Sequence, residues 1–161
     1  MVFHNRRWDS DFLTLRTLVE RGTLGRIVHF ESAFDRYRPE VRARWRESAS
    51  PGGGLWFDLG PHLLDQALQL FGWPEAIALE QATLRDGAQA DDWFQARLRY
   101  PRLRVVLRAS MLAAAPAPRF VVHGTQGSWM KLGLDTQEDA LKAGERPSWP
   151  PAPGWGADRN V

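Results

Sequence analysis

Residues 52–73 read GGGLWFDLGPHLLDQALQLFGW, an apolar run that carries Asp58, His62 and Asp65, spaced four and three apart. On a helix, side chains at these spacings are neighbours. A carboxylate beside an imidazole orients the ring and raises the basicity of its far nitrogen, which suits a general base working near neutral pH. The helix is expected over 61–71, with proline at its first position and Gly72 at its stop. Its polar residues, His62, Asp65, Gln66 and Gln69, then fall on one stripe facing a cleft or a solvent edge. Asp58 is expected just before the helix, where a carboxylate meets the free N–H groups of the first turn. Gly52, Gly53 and Gly54 would let backbone approach a small polar ligand closely. Two plainer readings stay open: Asp58 as a helix cap, and His62 as a half-exposed first-turn histidine. A metal site built on Asp58, His62 and Asp65 is a looser pattern than two histidines flanking a glutamate on one helix turn.

These groups need elements to position them. Residues 1–7 are expected to form a short strand. Asp9 or Ser10 would cap a helix whose apolar face is Phe12, Leu13, Leu15, Leu18 and Val19, closed by Gly22. A strand over 26–37 would follow, then an irregular segment over 38–54, a length that in a small domain usually carries function. Strands over 76–84, 93–100, 103–112, 119–123 and 128–132 read as a meander, since short links imply antiparallel pairing. A last helix is expected over 137–143. The class is α+β: a mainly antiparallel open sheet with helices on one face and the other face free for oligomer contact. Residues 1–143 make one domain and 144–161 a Pro-rich tail.

Bulk properties exclude several classes. The 161 residues suit a single domain. No run of about 18 apolar residues is present, so no membrane span is expected. Cysteine is absent, which removes thiolate metal sites and disulfides. The N-terminal residues lack the apolar core of a secretory signal, and the cytoplasm is the expected location. Of the 21 basic residues 19 are Arg, interspersed with acids to a formal net charge of +2, so no one-sided basic patch invites nucleic acid. No Gly-rich dinucleotide fingerprint, phosphate loop or nucleophile elbow occurs, and no bound metal is expected.

GGGLWFDLGPHLLDQAL resembles the G-G-x-x-x-x-D-x-x-x-H-x-x-D segment of the glucose–fructose oxidoreductase and inositol dehydrogenase (Gfo/Idh/MocA) family. FHNRRWDSDFLTLRTLVERGTLGRIVHFES is similar to the start of that family's C-terminal domain, and RWRESASPGGGLWFDLGPHLLD to its approach to the active site. The resemblance implies an N-terminal Rossmann domain, absent from this chain, that binds NAD or NADP. It implies a C-terminal domain that contacts a sugar, inositol or related polyol and forms a homo-oligomer through its sheet. His62 would be the acid–base group, Asp58 its working partner and Asp65 a supporting carboxylate. Asp35 and Arg36 could touch a polyol, while Trp45, Arg46 and Trp56 could wall the pocket. No cofactor-binding residue is expected in this chain, which alone should hold no dinucleotide tightly and be inactive. The alternatives are a ligand-sensing or protein-interaction module of the same fold, and a self-contained hydrolase or metal enzyme using Asp58 and His62.

Overall fold

Helix α1, Ser10–Glu20, turns Phe12 and Leu15 into the interior and ends where Gly22 takes φ 66°. The structure is a computed structural model, and it describes residues 3–150 and Trp155. Within these residues, strands β1 (Ile27–Asp35), β2 (Ala76–Ala82), β3 (Trp93–Arg99), β4 (Arg104–Ser110), β5 (Pro118–Gly124) and β6 (Ser128–Leu132) form one sheet. Helices α2, Leu55–Phe71, and α3, Thr136–Lys142, complete the α+β fold.

The strand order is β2-β3-β4-β1-β5-β6. The expected meander holds for β2-β3-β4, but β1 inserts between β4 and β5 and runs parallel to β4. Pattern alone does not specify this: β1 is apolar on its core face, and a central position buries that face fully. Phe30 pairs with Val105 on one side and Val122 on the other, all within the core. Alternation then assigns the rest. Phe94, Ala96 and Leu98 face α2, while Arg97 and Arg99 point to the uncovered face.

The N-terminal segment is not a strand. Asn5–Trp8 form a 3-10 turn that crosses α2, held by the Gln66 side-chain amide donating to the Arg6 carbonyl (2.8 Å). Residues 1 and 2 of the expected strand lie outside the described residues. So do 151–154 and 156–161 of the expected tail, whose residues 144–150 are exposed and irregular.

Helix α2 begins six residues before the expected start, so Pro61 lies inside it and Asp58 in its first turn. The cause is a cap supplied from far along the chain. The Asp91 carbonyl accepts from Leu55 N–H (2.8 Å) and its carboxylate from Trp56 N–H (2.7 Å). Gly54, at φ 100°, makes the turn, and a Cβ there would run into that carboxylate. Gly60 is required for a different reason: the Trp56 ring lies over it. Pro61 removes one backbone donor from the ladder, a cost the helix carries.

Caps by distant partners recur at α1. Asp9 makes no side-chain cap, and Ser10 donates through both N–H and hydroxyl to Asp135 (3.1 and 2.6 Å). Asp9 sits instead beside Arg6 (3.3 Å). Burial pushes the Asp9 carboxyl up to about 7; Arg6 opposes this, and Asp11 and Asp135 reinforce it. Between the ordinary 3.8 and about 7 the folded chain therefore holds a proton that the unfolded chain has released. The Asp9 contribution to stability therefore falls as pH rises through that window. In Asp9→Asn the fall should be flatter, as read by urea denaturation at a series of pH values; an unchanged slope would show that Asp9 is not its source.

Candidate active site

Three consecutive turns of α2 carry the groups singled out by spacing. The stripe does not stay together. Gln69 faces solvent, His62 and Asp65 are partly buried, and Gln66 has no exposure at all. Gln66 Oε1 accepts from the buried guanidinium of Arg119 (2.9 Å) while its amide holds Arg6, so this residue belongs to the interior.

His62 and Asp65 do not hydrogen-bond each other. Asp65 receives both arms of Arg7, from Nε (2.7 Å) and Nη2 (2.5 Å). A planar guanidinium satisfies a carboxylate with two parallel charge-assisted bonds, which one imidazole N–H cannot match. Asp58 turns to Arg46, with Nε–Oδ1 at 3.3 Å. The Nδ1 of His62 is buried and has no hydrogen-bond partner among the described residues. The His4 and His62 rings meet edge-to-face, centroids 6.1 Å apart at 90°.

These surroundings favour a neutral imidazole. Burial is the largest influence lowering the His62 pKa, and the charges of Arg6 and His4 add to it; Asp58 and Asp65 oppose but do not prevail. The two carboxylates thus act on the ring as partly neutralised charges at a distance, not as direct partners. The carboxylate–imidazole bond expected from the spacing is replaced by two Arg–carboxylate pairs flanking an imidazole.

Asp35 and Arg36 end β1 and line a cavity of about 390 Å³ with Tyr37, Pro118 and Leu134. Asp35 is bound through Oδ2 by Arg108, which also holds Glu31 (2.7 Å); Asp35 Oδ1 is buried without a partner. Arg36 makes no ion pair among the described residues; burial lowers its pKa, Arg38 lowers it further, and Asp58 pulls the other way. Trp45 is 62% exposed, with the Arg46 guanidinium 5.3 Å above its ring. The partly buried Trp56 ring packs edge-on against Phe94 at 5.1 Å and against the core. The helix beginning early rotates it inward. The structure therefore joins Arg46 to Asp58 and places Asp35 and Arg36 on one cavity, but His62 does not line that cavity. No group of three His, Asp or Glu side chains among the described residues could hold a metal ion.

Local pattern missed the residues that set the 38–54 segment. Buried Arg85 pairs with Glu47 (3.1 Å) and Asp92 (3.0 Å) and donates to the carbonyls of Arg38 and Glu40. Asp91, Asp92, Arg85 and Arg119 act across 35 to 87 residues of sequence, or across a bend of seven, and none stands in a periodic pattern. The paired Asp91-Asp92 before a strand was the available signal.

Comparison with known proteins gives a consistent result. Residues 12–130 match the profile described as the GFO/IDH/MocA C-terminal domain. The chain is 57% identical to the uncharacterized oxidoreductase YdgJ of Escherichia coli (strain K12), over 98% of this chain and 44% of that protein. It is 43% identical to scyllo-inositol 2-dehydrogenase (NADP(+)) IolW of Bacillus subtilis (strain 168), over 98% of this chain and 43% of that protein. A solved structure from Yersinia pestis, YPO2259, described as an oxidoreductase, superimposes with TM-score 0.88 at 61% identity, covering 99% of this chain and 44% of that one. The chain thus spans less than half the length of the relatives it matches.

The electrostatics around α2 make a direct prediction. The His62 imidazole should titrate by NMR with a midpoint below its ordinary 6.5. A midpoint above that value would mean that Asp58 and Asp65 outweigh burial.

Proposed function

Because this chain belongs to the Gfo/Idh/MocA family through its C-terminal domain, we propose that it is the substrate-binding and oligomerisation part of an NAD(P)-dependent oxidoreductase acting on a sugar, inositol or related polyol. The observation that carries the reading is His62: a half-buried imidazole, held neutral, between Asp58 and Asp65 on one helix. The 43% identity to a protein named as an NADP(+)-dependent scyllo-inositol dehydrogenase supports the substrate class.

In this reading His62 accepts the proton of a substrate hydroxyl as the carbon bearing it loses hydride. The nicotinamide, bound by a separate N-terminal domain, supplies the hydride acceptor. The sequence carries no G-x-G-x-x-G spacing, and in this reading the chain's own work is to bind and orient substrate and to take the proton. A neutral base is the form required, and burial together with Arg6 and His4 maintains it. Asp58, steadied by Arg46, would orient hydroxyls and favour the imidazolium once formed. Asp65 holds the N-terminal segment through Arg7. Trp45 and Arg46, and Arg36 beyond the end of β1, would meet substrate or the other domain, while Asp35 is engaged by Arg108. Trp56 supports the helix from beneath.

The uncovered sheet face suits a second copy of the chain. Met130 and Leu132 lie exposed there, beside the Glu31–Arg108–Asp35 cluster and the stacked rings of His29 and His123. The isolated chain should not turn over substrate, since orientation of the two reactants is itself worth several kcal/mol, about 7–11 in the best cases.

Joined to a nucleotide-binding domain of a close relative, the chain should oxidise polyols with NAD or NADP. His62→Ala should lower kcat by about 10²–10⁴-fold at neutral pH. A rate unaffected by that change would remove His62 from the chemistry and favour the ligand-sensing reading.

A further inference from the structure

The 3–8 segment is fastened to α2 beside His62 through Arg6 and Arg7. Arg7 grips Asp65 with two bonds, one turn past His62. The Arg6 carbonyl is held by Gln66, four residues past His62. The Arg6 guanidinium lies 5.3 Å over the Phe34 ring and pairs with Asp9 (3.3 Å) and with Glu138 of α3 (3.0 Å). Within the segment, Arg7 N–H donates to the His4 carbonyl (3.2 Å), closing the turn that carries His4. Arg6 and Arg7 fix one end of this turn on α2, and the partly buried His4 ring stands edge-to-face with His62.

We propose that His4 is a positioning residue for the reaction: the segment fastened at Asp65 and Gln66 sets the His4 ring against His62 and so fixes which edge of that imidazole is offered to substrate. The inference rests on the reading of His62 as the acid–base group. Three observations support it independently of that reading. His62 Nδ1 is shut from solvent and unpartnered, so no hydrogen bond holds the ring's rotation. The rings meet at 90°, so packing can hold it instead. Asp58 and Asp65, the groups on α2 that could have oriented the ring, are occupied by Arg46 and Arg7.

The contact also bears on the charge of His62, whose pKa the neighbouring His4 helps to lower. The charged groups acting on His62 are Arg6 and His4 from the segment and Asp58 and Asp65 from its own helix. A proton on His4 opposes a proton on His62, and removing the His4 ring removes that opposition while leaving Arg6 in place.

The test is an NMR titration of the His62 ring signals in this chain, alone and with His4→Phe, His4→Gln and Arg7→Gln. The expected result is an upward shift of the His62 midpoint in both His4 variants. Arg7→Gln, which loosens the segment while sparing both rings, should shift it the same way. Joined to a nucleotide-binding domain, His4→Gln should lower kcat with little change in KM and move the acid limb of the pH profile upward. A His62 midpoint unmoved in variants that keep the wild-type circular dichroism spectrum would overturn the proposal, and so would a shift confined to variants that lose that spectrum. The outcomes separate from those of the functional reading: if the midpoint shifts but His62→Ala leaves turnover intact, the contact is real and the acid–base assignment fails.

Discussion

A guanidinium cut off from water holds this domain together. Arg119 of β5 is 2% exposed and lies between the rings of Phe34 and Phe120, 3.9 and 4.1 Å from their centroids. Burial pulls its pKa down to about 10, with Asp11 and Asp9 opposing, so it stays cationic at neutral pH. A buried charge is tolerable only when its donors are answered. Here the two terminal nitrogens reach Ser32 and the Ala33 carbonyl of β1 and Gln66 of α2, while Nε makes no hydrogen bond among the described residues and has the Asp11 carboxylate of α1 at 3.8 Å as its counter-charge. Two strands and two helices are thereby committed to one arrangement. A slip of α2 along the sheet would strand the charge.

The commitment passes outward through Gln66. Its second amide bond fixes the Arg6 carbonyl, and the adjacent Arg7 fixes Asp65. His62 occupies the turn just before these anchors. Its surroundings thus follow from the interior: the half-burial that keeps it neutral, the His4 ring meeting it edge-to-face, and the two flanking carboxylates already engaged by arginines. The imidazole proposed as the base therefore lies on a helix whose height and rotation these bonds fix. The open side of that helix, with Asp58, Arg46 and exposed Trp45 and Phe57, is left for whatever completes the site.

Much of this was legible in the residues. Alternation in Phe94, Ala96 and Leu98 and in Val105 and Leu107 placed the strands to within a few residues, and Gly22 marked the end of α1. The G-G-x-x-x-x-D-x-x-x-H-x-x-D spacing carried the family, which the match over 12–130 bears out. What was not legible shares one physical cause: it depends on partners distant in sequence. The start of α2 rests on Asp91, the cap of α1 on Asp135, the inward turn of Gln66 on Arg119, and the 3-10 path of Asn5–Trp8 on Gln66 and Asp65. Proline at 61 misled for the same reason, because a local rule that places it at a helix start yields to a cap and a ring stacked over Gly60. The insertion of β1 between β4 and β5 is likewise a tertiary choice, made by the core that Phe30 and Phe34 complete.

Arg119 and Gln66 act as one unit in holding α2 and the His62 imidazole. A double-mutant cycle with Arg119→Met and Gln66→Leu, read by urea denaturation together with the His62 titration, tests it most directly. The account predicts a coupling of about 0.5–3 kcal/mol in stability, with the His62 midpoint displaced in each single variant and displaced no further in the double. Additive losses of stability, with a His62 titration indifferent to both changes, would contradict it.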